Sequence, residues 1–161
     1  MAKKSLQEAL DTIEMSYSEL NEIANSMTEP FFQSINELTS QLGDINSLSN
    51  DQVRNFMINM AMKSYSLSEV KEKAALKSSL AEAVRKETYS RKFSEGEGTQ
   101  GIKDNYAMLE CSNEVVAQAL YELVAALFKT KMSECHSLID VCKTVIMSRM
   151  SEAKLTTNSI D

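Results

Sequence analysis

The chain contains almost no residues that interrupt a helix. It has one proline and four glycines in 161 residues, and three of the glycines lie in the segment 94–101. Residues 50–94 and 102–161 contain neither glycine nor proline, so nothing in them forbids continuous helix. We therefore expect the segment 94–101 to form a turn between two long helices.

Composition agrees with a helical fold. The hydrophobic content of 43% is enough for a core, and ten methionines with no tryptophan are typical of a helical bundle. We predict one all-α domain, 1–161, built on a long antiparallel helical hairpin with helices at 51–93 and 104–152. A shorter N-terminal helical pair within 5–48 packs against this hairpin (50–154), and residues 155–161 form a frayed tail.

Short motifs set the expected helix ends. Residues 5–8 and 49–52 both have the form of a capping box, which starts a helix. Pro30 follows Thr28 and predicts a new helix start, and Gly43 is placed as a C-cap. A third such motif at 66–69 leaves two possibilities: a break near Tyr65, or one long helix with a kink.

The first helix carries an apolar seam at alternating steps of three and four residues. This seam either packs inside its own bundle or is shared with another chain. Two adjacent aromatic residues follow it, and at least one of them is expected to be exposed or used at an interface. The candidate oligomer or partner interface consists of Leu6, Leu10, Ile13, Tyr17, Leu20, Phe31 and Phe32.

The last helical region carries a seam of its own. Its apolar positions drift near residues 129–133, which leaves open whether the helix is continuous there. The expected inward residues are Leu109, Val116, Leu120, Leu123, Leu127, Cys135, Ile139, Cys142 and Ile146.

Charge is distributed unevenly along the chain. The formal net charge is −6, yet residues 5–62 hold nine acids and a single base, Arg54. Residues 63–104 hold nine bases and seven acids. The middle of the chain can therefore face an anion, whereas the first third is strongly acidic.

Cysteine and histidine residues give no sign of catalysis or metal binding. Three cysteines without a secretory signal predict free thiols and a cytoplasmic protein, and no apolar run is long enough to span a membrane. Cys135 and Cys142 share a helix face, whereas His136, the sole histidine, points about 100° away. We expect a non-enzymatic protein with no metal and no cofactor.

The segment 96–101 matches the spacing G-x-G-x-x-G of dinucleotide-binding loops. That motif requires a buried strand before it, whereas here it follows a polar helix end. Glu95 and Glu97 would also repel a phosphate. The segment is better explained as a turn.

The strongest functional signal is a basic and aromatic stripe near the end of the second long helix. Lysine and arginine neutralise phosphates and a tyrosine ring stacks on a base, so this mixture fits single-stranded nucleic acid. A solvated helix end whose bases complement the dipole explains it too, as does an acidic protein partner. The candidate nucleic-acid-binding residues are Lys77, Arg85, Lys86, Tyr89, Arg91, Lys92 and Lys103.

The order of these parts resembles a known family. A lysine-rich helix at 71–77, a basic-aromatic end at 85–93, a Gly/Glu turn and a long closing helix through 140–150 are similar in layout to small helical recombination mediators of tailed phages. The resemblance covers about residues 65–154 and has no diagnostic motif. It implies a ring-like homo-oligomer that binds single-stranded DNA and acts in the host cytoplasm.

Two other functions fit the same sequence. The acidic segment 5–62, which has no counterpart in that family, suits a phage-type inhibitor that blocks a host defence protein by occupying its nucleic-acid groove. The helical seams alone suit an oligomeric scaffold without nucleic-acid contact.

Overall fold

The structure, a computed structural model, describes the backbone of residues 2–158 and the side chains of residues 16–155. Four α-helices occupy nearly all of this range, together with one 3-10 turn at Ile45–Ser47 and no strand among these residues. The helices are α1 (Ala2–Leu42), α2 (Asn50–Glu95), α3 (Gln100–Glu110) and α4 (Ser112–Asn158). The predicted all-α class is confirmed.

The chain divides into two compact units, and α1, α2 and α4 each contribute to both. The first unit comprises Met1–Thr28 and Lys71–Leu127, and the second comprises Glu29–Val70 and Phe128–Asp161. In the first unit Ser78 contacts Glu122 and Thr88 contacts Glu114, each at 3.4 Å. From the first contact to the second, the residue number rises along α2 and falls along α4. The two helices are therefore antiparallel in this unit.

The same pairing recurs in the second unit. Ser64 lies 3.3 Å from His136, and Asn50 lies 3.1 Å from Arg149. The predicted antiparallel pairing of the two long helices is therefore confirmed within each unit.

The two units have different cores. The second unit buries mainly apolar side chains, several of them large, together with the polar Ser64: Ile35, Val53, Phe56, Met60, Leu67, Phe128, Cys135, Cys142 and Ile146. The first unit buries mostly small or polar ones: Ala24, Thr28, Ala74, Ser78, Thr88, Ala107, Cys111 and Val124.

The structure differs from the sequence prediction at Pro30. The expected N-terminal pair of helices is a single helix, α1, with Pro30 inside it. An internal proline removes one backbone hydrogen bond and costs about 3 kcal/mol. Packing offsets this cost, because Thr28 and Ile35 on either side are buried. The capping box predicted at 5–8 lies outside the described side chains.

The connection from α1 to α2 follows the sequence prediction closely. Gly43 has a φ of +48°, the left-handed conformation expected of a glycine C-cap. The Ser49 N–H donates to Gln52 Oε1 at 2.8 Å, and the Gln52 N–H donates to Ser49 Oγ at 3.2 Å. This reciprocal pair confirms the predicted capping box, and α2 begins at Asn50.

Arg149 of α4 holds this connection in place. Its Nη1 donates to the carbonyl of Leu48 at 2.8 Å and to Asn50 Oδ1 at 3.1 Å. Its Nη2 donates to the carbonyls of Ile45 at 2.9 Å and Asn46 at 3.1 Å. One guanidinium group thus donates to three carbonyl oxygens of this irregular connection, and the Ile45 carbonyl also accepts the Leu48 N–H at 3.3 Å.

The long helices are continuous where the sequence left a choice. α2 passes Tyr65 without interruption, and the Ser66 hydroxyl donates to the Lys63 carbonyl at 2.7 Å instead of capping a new helix. α4 is likewise unbroken through residues 129–133 and extends to Asn158. The predicted tail at 155–161 falls partly outside the described residues.

The last helical region starts earlier than predicted and is interrupted once. α3 begins at Gln100, not at Asp104, because the extended Thr99 carbonyl accepts the N–H groups of Ile102 and Lys103 at 3.0 and 3.1 Å. Cys111 then leaves the helical conformation, with φ −96° and ψ 6°. Two helices therefore replace the single one expected from 104 to 152.

This interruption changes which side chains point inward. Cys135, Cys142 and Ile146 are buried as predicted. Leu109 and Val116, on either side of Cys111, are 73% and 52% exposed, so their predicted place in the seam is wrong. Half-buried positions complete the predicted set: Leu120, Leu123, Leu127 and Ile139.

Candidate functional site

Three of the predicted nucleic-acid-binding residues meet at one groove of the first unit. The groove has a volume of about 310 Å³ and lies between α2 and the region of α3 and α4. Its lining residues are Arg85, Lys86, Tyr89, Met108, Cys111 and Val115. It therefore combines a mainly apolar floor with two cationic side chains.

The polar atoms beside the groove are incompletely paired. Arg85 Nε and Glu114 Oε2 are buried without a hydrogen-bond partner among the described atoms. The Thr88 hydroxyl donates to the other Glu114 oxygen at 3.4 Å, and the Cys111 thiol donates to the Arg85 carbonyl at 3.6 Å. Burial raises the pKa of the Cys111 thiol, and the nearby Glu114 carboxylate adds to this effect while Arg85 opposes it. The thiol is therefore held in its neutral form.

Tyr89 forms a wall of the groove and is engaged within its own unit. Its hydroxyl donates to Asp104, and its ring stacks on Phe93 with centroids 6.0 Å apart and planes 22° apart. The hydrogen bond to Asp104 is the main reason why the pKa of the Tyr89 phenol is raised. One ring face is thus occupied before any base could stack on it.

The lysines of the predicted stripe also have partners within the chain. Lys86 Nζ lies 2.7 Å from Glu82, and this contact lowers the pKa of the Glu82 carboxyl. Lys92 lies 3.2 Å from Glu95 and 3.5 Å from Glu110, and its hydrogen bond to Glu95 raises its pKa. The exposed Lys86 pair contributes little to stability and can be exchanged for another anion, whereas the Lys92 side chain is only 24% exposed.

The remaining predicted residues do not line the groove. Lys77 lies over the Tyr121 ring, 5.1 Å from its centroid. Lys103 is half-buried and packs against Gly96. A Cβ added to Gly96 would lie 3.4 Å from Lys103. Arg91 is exposed. The structure therefore gathers only part of the predicted stripe into one site.

The predicted interface residues have mixed environments. Tyr17 is 60% exposed and Leu20 is half-buried, whereas the side chains of Leu6, Leu10 and Ile13 lie outside the described residues.

Phe31 and Phe32 pack edge-on against Phe128 in the second unit, with centroids 5.5 and 5.4 Å away. Phe31 remains 41% exposed. This aromatic pair thus serves the core of its own unit, and one member also reaches the surface.

The sequence analysis missed an apolar stripe on α2 in the second unit. Ile58, Met62 and Tyr65 are 58%, 68% and 83% exposed. They recur at i, i+4 and i+7, which places them on one helix face. This spacing is visible in the sequence. The polar Lys63 and Ser64 between Met62 and Tyr65 nevertheless make the segment look like a weak point in the buried seam, and an exposed apolar face was not expected there.

No metal centre is found in the described part of the chain, where no three His, Cys, Asp or Glu side chains are grouped suitably for an ion. Among residues 2–158, no helix has the length and apolar character needed to cross a membrane. Comparisons of the chain with protein-family models, curated protein sequences and solved structures find no match.

Proposed function

We propose that this chain is a non-enzymatic helical protein that self-associates through an exposed apolar face of α2. The observation that carries the proposal is the stripe of Ile58, Met62 and Tyr65, each more than half exposed. Contiguous apolar patches of this kind are typical of interaction sites, whereas scattered exposed residues are not. Three unpaired cysteines, Cys111, Cys135 and Cys142, support a cytoplasmic location.

The expected association is weak and concentration-dependent. Fully burying an exposed apolar side chain contributes about 1.5–3 kcal/mol, so six side chains that are 58–83% exposed contribute roughly 6–12 kcal/mol. Association costs on the order of 4–15 kcal/mol in lost freedom of the partners. The difference between the free energy gained by burial and the free energy lost on association is small. We therefore expect monomers and oligomers to exchange as the concentration changes.

Two methionines of the second unit provide a matched test. Met62 and Met147 are each 68% exposed, but only Met62 belongs to the α2 stripe. We expect Met62→Glu to reduce the average mass measured by sedimentation equilibrium, because a carboxylate would be buried in the interface. Met147→Glu should leave the mass unchanged. Equal effects of both substitutions, or none from either, would remove the stripe from the proposal.

A second function, binding of single-stranded DNA, is favoured by the groove that brings Arg85, Lys86 and Tyr89 together. Its apolar floor suits a base, and its two cations suit the flanking phosphates. The layout shared with phage recombination mediators points in the same direction. DNA would then be a partner in addition to a second copy of the chain.

Fluorescence anisotropy of a labelled single strand, titrated with the protein at low and moderate salt, tests this second function. Binding that depends on phosphate contacts weakens steeply as salt rises. Replacing Arg85 and Lys86 by alanine should abolish it, whereas replacing the exposed Lys129 and Lys143 in the same way should not. Equal affinity of the two double variants would eliminate the groove as the DNA site.

A further inference from the structure

We infer that a second copy of this chain binds antiparallel along α2 of the first, with a two-fold axis between Ala61 and Met62. The inference rests on the self-association proposed above and adds its geometry. The α2 stripe of Ile58, Met62 and Tyr65 lies wholly in the second unit. Arg54 precedes it and Glu69 follows it on the same helix face, and the stripe is taken below to include these two charged residues.

These five residues lie on a single narrow face of α2. With 100° between successive residues, they fall within about 80° of arc, and the stripe is about 22 Å long. The buried residues Val53, Met60 and Leu67 lie on the opposite side of the helix. The stripe is therefore the face of α2 that the fold of its own unit leaves uncovered.

The order of residues along the stripe is self-complementary. In the antiparallel arrangement each residue n lies opposite residue 123 − n of the other copy. Ile58 then faces Tyr65, Ala61 faces Met62, and Arg54 faces Glu69. Because the axis repeats every contact, the apolar side chains form a central zone with one ion pair at each end.

The charges of Arg54 and Glu69 favour the antiparallel arrangement over the parallel one. A parallel pair would place Arg54 opposite Arg54 and Glu69 opposite Glu69, and both contacts are repulsive. Arg54 already lies 3.5 Å from Asp51, and Glu69 has an interaction within its own chain. Arg54 is 56% exposed and Asp51 is 87% exposed, so their contact leaves room for a carboxylate from a second copy.

Reciprocal charge reversal tests this geometry. The single variants Arg54→Glu and Glu69→Arg each put like charges opposite one another at both ends, so each should weaken dimer formation by at least about tenfold. The double variant restores opposite charges and should return the dissociation constant to within about threefold of wild type. The matched control is Lys143→Glu, which reverses an exposed charge on α4 of the same unit. Circular dichroism checks that each variant keeps its helices.

The outcomes separate this inference from the function on which it rests. Weakening by both single variants with recovery in the double variant supports the antiparallel dimer. Single variants that dimerise like the control, in a protein that Met62→Glu dissociates, overturn the antiparallel arrangement and leave self-association standing. A wild-type chain that stays monomeric at every concentration overturns self-association itself.

Discussion

Replacement of Arg149 should destabilise the protein strongly, although this residue is only half-buried. Its guanidinium makes four hydrogen bonds to the connection between α1 and α2, at 2.8 to 3.1 Å. A hydrogen bond from a charged donor contributes about 1.5–3 kcal/mol. The four bonds share one side chain, and the carbonyls left behind can be partly hydrated. We therefore expect Arg149→Leu to lower the free energy of unfolding by about 3 kcal/mol in total.

Urea denaturation followed by circular dichroism measures this loss at a concentration where the protein is monomeric. Arg149→Lys keeps the charge but not the planar fork, so its loss should fall between those of wild type and Arg149→Leu. Arg91→Leu removes an exposed arginine and should change stability by less than about 0.5 kcal/mol. An Arg149→Leu protein as stable as the Arg91→Leu control would refute the role assigned to these four bonds.

Three further predictions concern the stability of the folded chain. Pro30→Ala should raise the free energy of unfolding by about 1–3 kcal/mol because it restores a helical N–H, and a less stable variant would contradict this reasoning. Phe128→Ala should lower it by about 3–5 kcal/mol because the ring is 1% exposed, and a loss below about 1 kcal/mol would contradict the packing. Burial raises the pKa of the thiols of Cys111, Cys135 and Cys142 above the ordinary value of 9.0. The folded chain then keeps protons that the unfolded chain releases, so stability should fall as the pH rises above about 9, and a flat profile there would argue against buried thiols.

Local signals correctly predicted the end of α1 and both ends of α2. The capping box at Ser49 and Gln52 and the left-handed Gly43 act through neighbouring backbone groups, so the sequence contains everything needed to find them. The glycines that follow Glu95 likewise mark the end of α2. These features depend on few residues close together in the chain.

Features that depend on packing were missed. Pro30 predicts a break by its own chemistry, and only the buried neighbours on both sides explain why α1 continues through it. The hydrogen bonds of Arg149 could not be predicted from the sequence, because its partners lie about 100 residues away in the chain. Leu109 and Val116 fit a helical seam until Cys111 interrupts the helix.

The candidate sites show the same limit. The sequence located the basic and aromatic stripe, but it could not show that Tyr89 is engaged with Asp104 or that Lys92 is paired with Glu110. Side-chain pairing across helices requires the distance between the helices, which periodicity does not supply.

Sedimentation equilibrium of the wild-type chain over a wide range of concentrations tests the central claim most directly. If the exposed face of α2 mediates self-association, the average mass will rise from that of one chain towards that of two as the concentration increases, and Met62→Glu will suppress the rise. A mass that stays at one chain throughout would contradict the account.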